Sequence, residues 1–228
     1  MKPMKFAGIQ KTSLIDFPDR VSTVLFTPGC NLRCPFCHNW RLVLEPKGPF
    51  LSEEATLQIL RSRKKYVDAV AITGGEPTMH AEIPRFLGEL NKEGFHVKID
   101  TNGFFPQVLK ECMPYVDYIS LDVKTTLGKY QLLGAKNVDN YLQTVKMLKQ
   151  GSVEYEFRTT VVPGFVNEED IPKIGEMIRE AKRFAFQQFI PDETLDKTFR
   201  NIKPYSAEKI AHFANTMKKY VEEIILRV

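Results

Sequence analysis

The chain has 228 residues, of which 43% are hydrophobic and 26% charged, the proportions of a soluble globular protein. Its formal net charge of +4 is small for this length, so charge gives no reason to expect a nucleic-acid partner. The first residues lack the apolar run of a signal peptide, and no stretch approaches the length of a membrane span. We therefore expect one domain over residues 1–228 that works in the cytoplasm, away from membranes and with reduced cysteines.

Predicted strands and helices alternate along most of the chain. Apolar, β-branched runs predict strands over 21–26, 69–73, 97–100, 118–124, 154–162 and 184–190. Helices are predicted over 52–65, 82–93, 107–112, 138–149, 171–183 and 207–220, with a last strand over 223–228. This alternation predicts an α/β fold with a parallel sheet, and it does not distinguish an open sheet from a barrel.

Polar or turn-forming clusters follow the carboxyl ends of five predicted strands. They are the cysteines of 30–37, the glycines at 74–75, the polar run 100–102, Asp122 with Lys124, and Pro163 with Gly164. In parallel α/β folds the loops at that edge converge on the active site, whereas the opposite edge contributes stability. The sequence therefore predicts a single site formed by these five clusters.

Three of the four cysteines, Cys30, Cys34 and Cys37, share one loop with the spacing C-x3-C-x2-C. Soft sulfur ligands this close together select zinc or an iron–sulfur cluster. A structural zinc site needs four ligands, and His38 is poorly placed to complete one because it directly follows Cys37. A [4Fe–4S] cluster held by three cysteines would keep one iron open for chemistry.

With Phe36 before the last cysteine, this loop resembles the signature of the radical S-adenosylmethionine (SAM) superfamily. The flanks Thr27-Pro28-Gly29 and Cys37-His38-Asn39 resemble those of activating enzymes of glycyl-radical proteins. The resemblance implies that the three cysteines hold a [4Fe–4S] cluster whose open iron is chelated by SAM. An electron from flavodoxin or ferredoxin would then cleave SAM, and the resulting 5′-deoxyadenosyl radical would take a hydrogen from a glycine of a partner enzyme.

The resemblance also implies a partial (β/α)6 barrel. In this interpretation residues 1–20 are a lead segment, 21–190 form the barrel, and 191–228 add a helix and a strand. Only Cys112 remains outside the loop, so a second cluster held by cysteines is excluded. Cys112 itself is expected to be a core thiol.

Further matches to the superfamily imply which residues contact the cofactors. They are Phe36, His38, Gly74, Gly75, Glu76, Asp100, Thr101, Asn102, Asp122, Lys124, Arg158 and Val162. The Gly-Gly-Glu segment at 74–76 would bind the amino group of SAM, and Lys124 its carboxylate. Asp100, Thr101 and Asp122 would form a monovalent-cation site.

Plainer interpretations of the same residues stay open. The segment 74–76 is also typical of an ordinary glycine-rich turn. Lys124 could form a salt bridge with Asp100 or Asp122, and Arg158 could pair with Glu156 or Asp122 instead of SAM.

The lead segment bears on the choice of partner. Residues 13–20 resemble the S-L-V-D-G-P-G-x-R segment of pyruvate formate-lyase activating enzymes, with Phe17 and Asp19 in place of two glycines. The chain resembles more closely the activating proteins of anaerobic ribonucleoside-triphosphate reductase. The alternatives are a pyruvate formate-lyase activase, a small-molecule enzyme similar to 7-carboxy-7-deazaguanine synthase, and a non-catalytic zinc or electron-transfer module.

Overall fold

The computed structural model describes residues 2–44, 46 and 48–228, so residues 1, 45 and 47 of the predicted domain lie outside it. The strands are β1 (Lys5–Phe6), β2 (Gly8–Phe17), β3 (Arg20–Thr27), β4 (Leu51–Ser52), β5 (Ala69–Gly74), β6 (His96–Thr101), β7 (Tyr118–Asp122), β8 (Glu154–Val161), β9 (Ala181–Gln188) and β10 (Val221–Arg227). The helices are α1 (Trp40–Leu44), α2 (Glu53–Arg63), α3 (Ile83–Lys92), α4 (Pro106–Cys112), α5 (Val138–Gln150), α6 (Ile171–Met177) and α7 (Ala207–Met217). Over the described ranges, no helix combines the length and the apolar character needed to cross a bilayer.

Contacts divide the chain into two compact units. The first consists of Met1–Asn31 and Asn39–Ile119. Its main sheet has the order β6-β5-β3-β2, in which β3, β5 and β6 are parallel, as predicted. The second unit consists of Leu32–His38 and Ser120–Val228, with the strand order β10-β9-β8 and then the part of β7 from Ser120 onward. There β8, β9 and β10 are parallel, and the predicted terminal strand is confirmed as β10.

The lead segment contains a strand that the sequence analysis does not predict. Strand β2 pairs antiparallel with β3, and two register shifts interrupt the pairing. The strand ends in a two-residue turn in which Asp19 has a φ of 58°, the left-handed region that favours glycine. Next to that turn, the ring of Phe17 packs on Tyr118 with 6.5 Å between centroids. Phe17 and Asp19 therefore both have structural roles in the lead segment.

The boundary between α6 and β9 also differs from the prediction. The helix ends at Met177 and the strand begins at Ala181, whereas the sequence predicts a helix to residue 183. Glu180 adopts a φ of 67°, which a continuous helix does not allow, and its N–H donates to the carbonyl of Tyr220 over 2.7 Å. A contact distant in sequence thus ends the helix early.

Candidate active site

The turn at Gly74 and Gly75 contacts the segment that leads into the cysteine loop. The N–H of Gly75 donates to the carbonyl of Thr27, and that of Glu76 to the carbonyl of Gly29, each over 2.8 Å. Gly74 has a φ of 112°, and a Cβ on Gly75 would lie 1.8 Å from the carbonyl oxygen of Gly29. The glycines therefore allow two backbone segments of the protein to touch, which the sequence analysis did not anticipate.

The carboxylate of Glu76 connects this turn to the end of β6 through hydrogen bonds. Its Oε1 accepts from the hydroxyl of Thr101 over 2.7 Å and from the N–H of Thr78 over 3.0 Å, and its Oε2 accepts from the N–H of Asn102 over 2.7 Å. The side chain is almost completely buried. Burial raises the pKa of Glu76 above its ordinary value, and the hydrogen bonds counteract part of that shift. Glu76 thus has a structural role in addition to any contact with SAM.

The side chain of Asn102 lies beside Cys30. Its Oδ1 accepts from the N–H of Phe104 over 3.2 Å, which sets the orientation of the amide. Its Nδ2 then donates to Oδ1 of Asn31 over 2.7 Å and to Sγ of Cys30 over 3.6 Å. The structure therefore brings one predicted cofactor residue to one predicted cluster ligand.

Asp100, the carboxylate predicted to bind a cation, forms an ion pair with Lys98 of the same strand. Both side chains are nearly fully buried. Lys98 was not among the predicted site residues. A signal was present, because Lys98 is a charged residue within an apolar strand, and such a charge needs a partner.

In the second unit, Asp122 is paired with both basic residues of the predicted site. Nε of Arg158 lies 2.9 Å from its Oδ1, and Nζ of Lys124 lies 3.0 Å from its Oδ2. Burial by itself would raise the pKa of Asp122, but the charges of Arg158 and Lys124 lower it below its usual range. Burial would lower the pKa of Lys124, but Asp122, together with Cys34 and Cys37, raises it.

The part of the cysteine loop in the second unit is held by residues 190–196, which we call the strap. The hydrogen bonds run from the N–H of Leu195 to the carbonyl of Cys37 (3.1 Å), from the N–H of Asp196 to the carbonyl of Pro35 (2.8 Å), and from Nε2 of His38 to the carbonyl of Ile190 (2.8 Å). The strap thus fixes the backbone around Cys37.

Phe36 packs in an aromatic cluster within the same unit. Its ring lies 5.2 Å from that of Phe165 and 6.3 Å from that of Phe199, between centroids. Val162 is fully buried, and its carbonyl accepts from the N–H of Phe165 over 3.1 Å. Phe36 therefore packs against the turn that begins at Val162.

The cysteines fit an iron–sulfur cluster by their chemistry. None of the four cysteines forms a disulfide. The three in the loop supply soft sulfur donors, and the charge of Lys124 interacts with Cys34 and Cys37. Within the described ranges, no group of three or more His, Cys, Asp or Glu side chains is arranged as a metal site. The three cysteines remain the predicted ligands.

Cys112 differs from the other three cysteines. It is fully buried, and burial raises the pKa of its thiol well above the usual range. These observations support the expected role of Cys112 as a core residue.

A family model and known proteins match most of this chain. The model of the radical SAM superfamily matches residues 24–178. A protein of Methanocaldococcus jannaschii named "Putative glycyl-radical enzyme activating enzyme" is 34% identical over 97% of this chain and 95% of its own. The pyruvate formate-lyase-activating enzyme of Clostridium pasteurianum is 27% identical over 96% of this chain and 97% of its own.

Solved structures are similar in fold. The crystal structure of Streptococcus suis SuiB bound to S-adenosylmethionine matches with a TM-score of 0.68 at 18% identity, over 90% of this chain and 52% of that chain. At this level of identity the match is evidence for the fold alone. It confirms the predicted class, an α/β fold with a mostly parallel sheet of the partial (β/α)6 barrel type.

Proposed function

This chain belongs to the radical SAM superfamily, and we propose that the glycyl-radical enzyme it activates is an anaerobic ribonucleoside-triphosphate reductase. It is a radical SAM enzyme of the glycyl-radical activating class, and enzymes of this family use a [4Fe–4S] cluster and SAM. When bound and reduced, the cluster supplies the electron that breaks a C–S bond of SAM, giving methionine and a 5′-deoxyadenosyl radical. We expect flavodoxin or ferredoxin to be the reductant and the cytoplasm to be the compartment.

In this proposal Cys30, Cys34 and Cys37 hold the cluster. The observation that carries the assignment is the contact between the turn at 74–76 and the segment 27–29. The turn predicted to bind the amino group of SAM contacts the residues directly before Cys30, which supports the assignment. Asn102 supports the same assignment, because its amide donates to Sγ of Cys30.

Lys124 and Arg158 carry the positive charge that we expect to bind the carboxylate of SAM. Arg158 and Lys124 bring two cations to the single carboxylate of Asp122, so the trio carries a net positive charge. A ligand carboxylate can bind there without leaving Asp122 unpaired. Asp122 thus positions the two basic side chains before the substrate arrives.

The lead segment supports the choice of reductase. Where the pyruvate formate-lyase activating enzymes carry glycine, this chain has Phe17, whose buried ring belongs to the core of the first unit. The pyruvate formate-lyase assignment stays as the second candidate because of the full-length similarity to the Clostridium pasteurianum enzyme.

The radical chemistry is tested anaerobically. The protein is reconstituted with iron and sulfide, reduced, and supplied with SAM, and 5′-deoxyadenosine is measured. We expect cleavage by the wild type and by Cys112→Ala, and none by Cys34→Ala. A well-formed cluster without SAM cleavage would contradict the assignment, and protein that binds zinc instead of iron and sulfide would favour the non-catalytic module.

The partner is tested by electron paramagnetic resonance. Purified anaerobic ribonucleoside-triphosphate reductase and pyruvate formate-lyase are each incubated with the reduced activase and SAM. We expect a glycyl-radical signal on the reductase, and none on a reductase variant whose radical glycine is replaced by alanine. A signal on pyruvate formate-lyase alone would overturn the choice of partner, and SAM cleavage without either signal would favour a small-molecule substrate.

A further inference from the structure

Lys98 is a charged residue in an apolar part of the sheet. In β6 it lies in register with Ala71 of β5, which in turn lies in register with Val24 of β3. All three residues are buried, and Lys98 is only 2% exposed. An ammonium group in such surroundings is tolerated only when an anion compensates its charge.

Asp100 provides that anion. Residues 98 and 100 alternate onto the same face of the strand, and Nζ of Lys98 forms an ion pair with Oδ1 of Asp100. The exposed fraction of Asp100 is 7%. The two opposite charges therefore neutralise each other within the interior of the first unit.

The residues predicted to bind a monovalent cation in this unit do not fit an additional ion. The charge of Asp100 is already balanced by Lys98. The hydroxyl of Thr101 donates to Glu76 over 2.7 Å and accepts from the N–H of Gly103 over 3.0 Å. An alkali ion at Asp100 would have to lose its water and lie close to the Lys98 ammonium, where the low dielectric strengthens the repulsion.

We propose that the Lys98 ammonium is the built-in counter-cation of Asp100 and replaces an alkali metal ion, so that the enzyme binds and cleaves SAM without potassium or sodium. The inference rests on the proposed SAM site and does not depend on the identity of the partner enzyme. Lys98 is a positioning residue in this proposal, because it acts on the site through Asp100.

The first test uses the thermal unfolding of the protein without cofactors. The midpoint is compared in potassium chloride, sodium chloride and choline chloride at equal ionic strength, because choline is too bulky to replace an alkali ion at a buried carboxylate. For the wild type we expect the same midpoint in all three salts. For Lys98→Met, which keeps the length of the side chain without its charge, we expect a lower midpoint in choline that potassium or sodium partly restores.

Two control variants isolate the site. Lys129→Met also removes a lysine from a buried carboxylate, because Nζ of Lys129 lies 2.5 Å from Oδ2 of Asp170. We expect this variant to be destabilised without recovery in potassium. In the double variant Lys98→Met with Asp100→Asn, both charges are absent, and the response to potassium should be lost.

The second test measures 5′-deoxyadenosine formation in the same salts. We expect the wild type to cleave SAM equally well in potassium and choline, and Lys98→Met to be roughly tenfold slower in choline than in potassium, the effect of one contact to a charged group.

A wild-type enzyme that needs potassium for cleavage, or whose unfolding midpoint rises specifically in potassium, would overturn the proposal. Equal recovery of Lys98→Met and Lys129→Met would also overturn it. If Lys98→Met does not fold, the behaviour of the wild type in the three salts still tests the proposal. Absence of SAM cleavage in every salt would instead count against the proposed function.

Discussion

Two predicted site carboxylates, those of Asp122 and Glu76, differ in the charge of the groups that bind them. Asp122, in the second unit, has two cations as partners, and their charges lower its pKa. Glu76, in the first unit, accepts hydrogen bonds from neutral hydroxyl and N–H groups, and burial raises its pKa. The comparison shows that the partners of a buried carboxylate, rather than burial alone, decide whether its environment favours or opposes the negative charge.

The largest effect is expected for Asp122→Asn. This change leaves the cations of Lys124 and Arg158 without their carboxylate in a mostly buried position. We expect the free energy of unfolding to fall by about 3 kcal/mol, as when one partner of a buried ion pair is removed. Chemical denaturation of the protein without cofactors measures this loss.

A surface pair provides the control for that measurement. Glu176 pairs with Arg179 over 2.6 Å, but the side chains are 58% and 48% exposed. Because solvent screens such a pair, Glu176→Gln should change stability very little. Equal losses for the two variants would contradict the distinct role of Asp122.

A smaller loss is expected for Glu76→Gln. The amide has one acceptor oxygen instead of two, so its NH2 group must face the N–H of Thr78 or of Asn102. The unsatisfied donor should cost about 1–3 kcal/mol, and the loss of an unfavourable buried charge offsets part of this. Thermal or chemical unfolding measures the difference. A loss larger than that of Asp122→Asn would contradict the view that the charged pairs of Asp122 stabilise the fold more than the neutral hydrogen bonds of Glu76.

The two carboxylates should give opposite dependences of stability on pH. The pKa of Asp122 is lowered, so its stabilising contribution is present above its ordinary value of 3.8 and is lost as the pH falls through the folded-state pKa. The pKa of Glu76 is raised, so its contribution is present below its ordinary value of 4.5 and is lost as the pH rises through the folded-state pKa. The free energy of unfolding is measured for the wild type and for each variant on both sides of these pH values. The stability that the wild type has over Asp122→Asn should increase with pH, whereas the stability that it has over Glu76→Gln should decrease with pH.

Among the variants of the candidate site, the smallest loss of stability is expected for Asn102→Ala, which keeps the backbone N–H that binds Glu76 and removes only the side-chain contacts. We expect a loss of about 1 kcal/mol in unfolding free energy. The hydrogen bond to Sγ of Cys30 stabilises negative charge on sulfur, so its removal should make the cluster's reduction potential more negative. A redox titration followed by electron paramagnetic resonance measures this, with Asn31→Ala as the control that keeps the donor beside Cys30. An unchanged potential in Asn102→Ala would exclude an electronic role for this side chain.

The sequence predicted the parallel strands well because each is a short apolar run that ends in turn residues. It did not predict β2, whose exposed polar residues Gln10, Lys11 and Thr12 give no apolar face and whose pairing is interrupted by register shifts. The late end of α6 was predicted from residues that favour helices, and the actual end depends on a contact between Glu180 and Tyr220. Such contacts between distant residues leave no local pattern in the sequence.

The cysteine spacing and the polar ends of the strands predict which residues form the site, but they do not predict the contacts among those residues. The pairing of Asp122 with Lys124 and Arg158 was one of several open alternatives, and only the structure selects it. Lys98 carried the same signal as Lys124, a charge within an apolar strand, but it lies outside the matched motifs.

The strap also implies an order of events during biosynthesis. Cys37 and Pro35 leave the ribosome long before Leu195 and Asp196, whose N–H groups hold their carbonyls. A nascent chain that has not yet reached the strap carries the three cysteines on a loop without these hydrogen bonds. We therefore expect iron and sulfide to be retained by the finished chain and not by shorter nascent chains, so that cluster delivery follows translation.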